Sequence, residues 1–259
     1  MKILFIGDVV GRQGCEALQK GLMQLKREYS ADIVVVNGEN SAEANGITPN
    51  SAQMIFDAGA DVITTGNHCF RHRSIEDEFE RSERIIRPAN YGGDVIGRGM
   101  CEIDCGAFRI AVINLLGTTF MQPLENPFRC ADELLKMTSA KIKLVDFHAE
   151  ATSEKRAMGY YLAGRATAVL GTHTHVQTAD EQVINGTGYI TDAGMTGPKD
   201  SILGVQKEII IERFLTYYPK RHIFADGECE ICGVALSVNT KNGQCESIER
   251  IKKTMKSAE

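Results

Sequence analysis

No stretch of this 259-residue chain approaches the ~20 apolar residues that cross a bilayer as a helix. Near the start, Lys2 precedes only a short apolar run that breaks at Asp8, too brief for the core of a secretion signal. Basic residues are not in surplus: the formal net charge is −5, which argues against a general nucleic-acid binder, because counterion-release binding needs a basic face. Internal repeats, low-complexity tracts and linker-like stretches are missing too. The expectation is a cytoplasmic chain that makes no membrane contact and forms no stable nucleic-acid complex. A small anionic substrate stays open, since bound metal ions can supply local positive charge inside a negative protein.

Hydrophobic residues at 43% and charged residues at 24% are ordinary for a globular enzyme, and the length suits one core of good size. The eight cysteines include a C-x-x-C at Cys229 and Cys232 and a looser pair at Cys101 and Cys105, together the raw material of a four-thiolate zinc site. Both pairs lie in stretches that alternate like strands, without a glycine-rich knuckle. The reading is free thiols in a reducing compartment.

The first third reads βαβαβ. Met1 to Val9 is an apolar strand. Gln13 to Tyr29 carries apolar residues at 18, 22 and 25, near helical spacing. Ile33 to Val36 is a continuously apolar strand. Thr48 caps a helix that Pro49 opens and Gly59 ends, and Asp61 to Thr65 is the third strand. The pattern then changes. Met100–Cys105 and Phe108–Leu116 read as a hairpin, Phe128–Met137 as a helix, and Ile142–Phe147 as a strand. A helix from about Ser153 to Ala163 leads into the strand Ala166–Leu170. Beyond Glu181 the chain is β-rich (182–184, 189–191, 231–238 and 247–251), interrupted by a helix over 205–216. The later strands suit a second sheet packed on the first better than a separate domain.

Five of these strands end in polar clusters: Gly7-Asp8, Gly38-Glu39-Asn40, Gly66-Asn67-His68, Phe147-His148 and Gly171-Thr172-His173-Thr174-His175. Open α/β sheets place their ligands at strand C-termini. Each cluster alone has a bland explanation. Asp8 suits an Asx-turn, and a lone His148 suits a buried imidazole bonded to a carbonyl. Glu39 is harder to dismiss, because a carboxylate where a buried strand leaves the sheet wants a cation. His173 and His175, two apart, share a face if extended and can reach adjacent metals. Only His72 and His222 lie outside these clusters. Arg12 reads as a solvated charge, and the glycine-rich Asp192–Pro198 as a turn or the rim of the site.

In their order and spacing the clusters resemble the calcineurin-like metallophosphoesterase superfamily, whose motifs run D-x-H, G-D, G-N-H, H and G-H-x-H. Val10 stands where the first motif usually has His, and Glu39 where the bridging residue is usually Asp. Both departures are similar to the YmdB-like phosphodiesterase subfamily. So are the longer strings 146–155, 171–180 and 191–198, and the likeness runs essentially the full length.

The resemblance implies an α/β four-layer sandwich, two mixed β-sheets flanked by helices, with residues 1–259 as a single metallophosphoesterase domain. It implies two metal ions, iron and/or manganese. One is held by Asp8, Glu39, Asn40 and His175, with Asn40 in place of the missing His. The other is held by Glu39, Asn67, His148 and His173, so that Glu39 bridges. Asp8 and Glu39 are the only anionic ligands, which leaves a divalent pair net positive and attractive to a phosphodiester. The implied activity is hydrolysis of cyclic nucleotides, 2′,3′-cyclic nucleoside monophosphates in particular, by a metal-bridging hydroxide with His68 as general acid. Relatives commonly carry an acid just after that histidine; here Cys69-Phe70-Arg71-His72 offers none before Glu76. The rivals are a phosphomonoesterase or nucleotidase with the same metals, and a nucleotide-sensing regulatory protein without turnover. A homo-oligomer is compatible with all three.

Overall fold

The computed structural model describes residues 1–255. In chain order the elements are β1 (Lys2–Ile6), β2 (Asp8–Val9), α1 (Gly11–Glu28), β3 (Ile33–Asn37), α2 (Pro49–Asp57), β4 (Val62–Thr64), α3 (Glu76–Arg81), β5 (Met100–Asp104) and β6 (Arg109–Leu116). There follow α4 (Pro127–Met137), β7 (Ile142–His148), α5 (Thr152–Leu162), β8 (Ala168–Thr172), β9 (Gln182–Ile184), β10 (Thr187–Ile190), β11 (Met195–Pro198), α6 (Lys207–Thr216), β12 (Cys229–Val238) and β13 (Cys245–Met255). No helix among the described residues is long and apolar enough to cross a membrane.

Two mixed sheets stack with helices on both outer faces. One runs β2-β11-β12-β1-β3-β4 with β13 beside β12; the other runs β5-β6-β7-β8-β10-β9. Strands β1, β3 and β4 are parallel neighbours, as are β6, β7, β8 and β10. The alternation of side chains along each strand generates the layers. On β1, Leu4 and Ile6 pack outward on Leu18, Leu22 and Ile55 of the α1–α2 layer, while Ile3 and Phe5 face inward. There they meet Ile110, Val112, Leu144 and Leu170 of the other sheet. That sheet's opposite face, with Val145, Phe147 and Tyr189, packs on Met158 and Leu162 of α5. Three apolar cores thus separate four layers, as the resemblance implies.

The capping signals act where expected: the Thr48 hydroxyl accepts from the Ser51 backbone N–H, and Pro49 sits at the first helical position. Some boundaries move. The opening strand breaks at Gly7 into β1 and β2. The helix expected from 205 begins at Lys207, because Val205 bridges to Phe224 instead. Part of the glycine-rich Asp192–Pro198 segment is strand β11, paired with β2 and β12, so it belongs to the interior and not to a rim. Cys229 and Cys232 stand three apart on β12 and face opposite sides of it, so that pair cannot close on one ion while the strand is paired. Arg12 is 76% exposed and bonds Glu16.

Candidate metal centre

The parallel strands β1, β3 and β4 of one sheet and β7 and β8 of the other deliver their C-terminal ends to one place. Asp8 follows β1, Glu39 and Asn40 follow β3, and Asn67 and His68 follow β4. His148 closes β7, and His173 and His175 follow β8. All eight residues singled out in the sequence converge there.

His148 Nε2 lies 3.0 Å from Asn67 Oδ1, 3.0 Å from His173 Nδ1 and 3.4 Å from Glu39 Oε1. Glu39, His148 and His173 each offer an atom within 4.8 Å of the others, close enough for one ion. The hydrogen-bond directions fix what these atoms are. The Thr172 hydroxyl donates to Asp146 Oδ1 at 2.7 Å, so its oxygen accepts from His148 Nδ1 at 2.9 Å. A neutral His148 thereby keeps its proton on Nδ1, which leaves Nε2 as the nitrogen a metal would take. His173 points Nε2 at Glu150 Oε2, 3.0 Å away, which leaves its Nδ1 bare as well. Once His148 gives up its second proton, two imidazole lone pairs, an amide oxygen and a carboxylate oxygen face one point.

A second set adjoins it. His175 directs Nδ1 to the Leu203 carbonyl at 3.3 Å, and its Nε2 lies 3.2 Å from Asn40 Nδ2 and 3.8 Å from Asp8 Oδ1. The two histidines use different ring nitrogens. Asp8 Oδ1, Glu39 Oε1 and Asn40 Oδ1 are buried without a hydrogen-bond partner among the described residues. Orphaned buried oxygens are costly. Three of them in one cluster, two anionic, fit a cation.

Burial and mutual charge set the protonation of this cluster. Burial pushes the Glu39 carboxyl up, but His148 and His68 more than offset it and hold it at about 2. Burial pushes the His148 imidazole down, yet Glu39, Asp8 and Asp146 outweigh it and lift it to about 9. His173 is driven to about 3, by burial first and then by the neighbouring His148. Burial pushes Asp8 up. A proton on His148 is what balances Glu39, and a cation entering between them displaces it.

Beneath the cluster lies a polar plug that sequence reasoning missed. Near their ends the inward-facing alternation of five strands turns polar: Ile33-Val35-Asn37, Val62-Thr64, Ile110-Val112-Asn114, Leu144-Asp146 and Leu170-Thr172. All five polar residues are buried. Asp146 accepts from Asn37 at 2.8 Å, Thr64 at 2.5 Å and Thr172 at 2.7 Å. Asn37 Oδ1 in turn accepts from the Glu39 backbone N–H at 3.1 Å. Burial still lifts Asp146 to about 6 against these donors. The signal was available: a polar residue on the inward parity, at a strand end or two residues before it.

The chain through Thr172 makes a prediction. Thr172→Val keeps the shape and removes the acceptor for His148 Nδ1–H, freeing the ring to turn. Metal affinity is expected to fall ~10–100-fold, as for other supporting partners of a metal-binding histidine. Thr172→Ser is expected to restore it. Competition titration with a chromogenic chelator measures both; equal affinities in wild type and Thr172→Val would refute the relay.

The loop carrying His173 and His175 is held against its own backbone preference. Both have positive φ, 102° and 66°, unusual for residues with a Cβ. Buried Asp192 accepts from the Thr174 N–H at 3.0 Å and the Thr174 hydroxyl at 2.7 Å. Lys155 Nζ pairs with it at 2.7 Å. Asp8 Oδ2 also accepts from the His173 N–H at 3.0 Å. Lys155 and Asp192 thus support the histidine pair from inside the molecule.

Residues 4–251 match the family model described as YmdB-like protein. The 2′,3′-cyclic-nucleotide 2′-phosphodiesterase of Bacillus subtilis is 44% identical over 97% of this chain and 96% of that protein. A hypothetical protein from Thermus thermophilus superposes with a TM-score of 0.93 at 39% identity, covering 98% of this chain and 99% of that one. A crystal structure described as a novel phosphatase of Mycoplasma pneumoniae also gives a TM-score of 0.93, at 32% identity over 99% of this chain and 94% of that one.

Proposed function

The chain belongs to the YmdB-like protein family, and on that premise we propose that it hydrolyses 2′,3′-cyclic nucleoside monophosphates at a two-metal site, releasing the nucleoside 3′-phosphate. It is a phosphodiesterase. The observation that carries the reading is the convergence of His148 Nε2 and His173 Nδ1 beside orphaned buried oxygens on Asp8, Glu39 and Asn40. Asp8, Glu39, Asn40 and His175 would hold one ion, and Glu39, Asn67, His148 and His173 the other. Hard oxygen and imidazole donors without thiolate suit iron or manganese. When bound, the ions supply Lewis acidity toward the phosphoryl oxygens and the attacking water.

The chain's own residues divide the remaining work. Glu39 and Asp8 bring two negative charges against at least four positive ones, so the site stays electropositive and draws in an anionic diester. Asp146 and Thr172 fix the ring of His148. His68, half-buried in the wall of the same cavity, gives its proton to the 2′-oxygen as the P–O2′ bond breaks, and water supplies the new oxygen on phosphorus. Residues 1–259 act as one catalytic unit. The setting is the cytoplasm, in keeping with the free thiols.

Manganese- or iron-loaded protein is expected to convert 2′,3′-cyclic nucleotides to the 3′-phosphates, and to hydrolyse bis(p-nitrophenyl) phosphate faster than p-nitrophenyl phosphate. Chromatography of the products and absorbance at the nitrophenolate band read the two assays. Preference for the mono-ester would make the protein a phosphomonoesterase. Intact metal content with no product over hours would make it a binding protein.

A further inference from the structure

The metal cluster forms only one side of its cavity. An apolar shelf from a single excursion of the chain, residues 199–226, also lines it, tied at its base by the Val205–Phe224 bridge and by the Ala225 N–H donating to the Gly204 carbonyl. Leu203, Val205, Ile210, Phe214 and Phe224 face the same cavity as Glu39, Asn40, His68 and His175. The cavity, open to solvent on one side, has a volume of about 390 Å³, within the range of small-molecule sites. The shelf is coupled to the metal side directly, since the Leu203 carbonyl is the partner of His175 Nδ1. At its edge Arg213 Nη1 lies 3.2 Å from His222 Nε2. Phe214 is 72% exposed although it fronts the cavity.

We propose that this shelf is a nucleobase subsite, on which the flat base of the substrate packs against Phe214 and Phe224 while its phosphate occupies the metal side. The inference rests on the phosphodiesterase reading and deepens it. An anion-attracting floor beside an aromatic wall in one cavity matches a ligand with a phosphate at one end and an aromatic ring at the other. Every base has a π-face, so stacking holds purines and pyrimidines alike. Arg213 adds donors and no acceptor, which favours bases that present carbonyl or ring-nitrogen acceptors outward. Contacts to the base are made equally in ground and transition states, so their loss falls on KM and not on kcat.

The test compares a 2′,3′-cyclic nucleotide with ethylene glycol cyclic phosphate, which has the same reacting ring and no base, on manganese-loaded protein. In the wild type, KM for the base-less diester is expected to exceed that for the nucleotide by about ten-fold or more, the scale of one stacked base. In Phe214→Ala that ratio is expected to fall toward one, with the change carried by KM for the nucleotide. Equal KM values in the wild type, or an undiminished ratio in Phe214→Ala, overturn the subsite. So does a Phe214→Ala protein that changes only its oligomeric state by light scattering, which would make the shelf a contact between copies of the chain. If neither diester is turned over, the phosphodiesterase reading fails and the subsite is decided by binding. A nucleoside 3′-phosphate binding about ten-fold more tightly than ribose phosphate, with the advantage lost in Phe214→Ala, sustains it; equal binding refutes it.

Discussion

Gly66→Ala is expected to expel the metals and to lower kcat/KM on a cyclic phosphodiester by about 10³-fold, without altering any ligand. A Cβ at position 66 would stand 2.4 Å from His148 Nε2 and 2.5 Å from Glu39 Oε2. Both atoms belong to residues whose rings and carboxylates are pinned from behind. Thr172 and Asp146 fix His148, and Glu39 Oε2 accepts from the His68 N–H at 2.8 Å. A methyl group therefore cannot be accommodated by a small rotation. Either His148 leaves its partner or Glu39 swings off its backbone anchor, and in both cases the arrangement that would hold the ions is lost. The several kcal/mol that a metal pair contributes to a phosphoryl-transfer transition state correspond to about 10³ in rate. Elemental analysis after metal loading and desalting reads the first effect, and turnover reads the second. Circular dichroism and thermal unfolding establish that the variant is folded. A folded Gly66→Ala protein with a full complement of metal and wild-type turnover would place the metals elsewhere.

That sensitivity at a glycine shows what was and was not legible in the sequence. The strands were legible, because Ile3, Phe5, Ile33, Val35, Leu144 and Leu170 are buried on one parity and Leu4, Ile6, Val34 and Val145 on the other. The converging polar ends were legible too, since a carboxylate or imidazole after an apolar run has few structural uses. Three things were not. Strand β11 contains a glycine and a proline, and its pairing with β2 and β12 is a tertiary fact without local signature. The short helix α3 is acidic in its first turn and buries only Phe79, too small an apolar face to read. Asp192 and Lys155 meet across 37 residues inside the molecule, and each alone reads as a surface charge. Val10, where the calcineurin-like motif that the first cluster resembles has His, is 1% exposed and bridges to Asn40. The departure from the motif is thus absorbed by packing, with Asn40 left as the polar group at that corner.

His68→Ala carries the second large effect, and its size should depend on the leaving group. The His68 side chain is half-buried and lines the cavity, its Nε2 3.5 Å from Asn67 Nδ2. It lies outside the point where His148 and His173 meet, and is positioned through its backbone bond to Glu39 Oε2. On the proposed reading, an imidazole so placed would serve the departing oxygen. On a 2′,3′-cyclic nucleotide that oxygen is a sugar alkoxide, which does not leave unprotonated. Loss of the acid is expected to cost ~10²–10⁴ in kcat. On bis(p-nitrophenyl) phosphate the leaving group is already stable as an anion, and the loss should shrink to ten-fold or less. A structural role cannot produce that contrast, because damage to the metal site slows both substrates together. Metal analysis of the variant supplies the control, and two bound ions are expected. Equal losses on the two substrates, or full turnover of the cyclic nucleotide, would remove His68 from the proton transfer and leave it only its contact with Glu39.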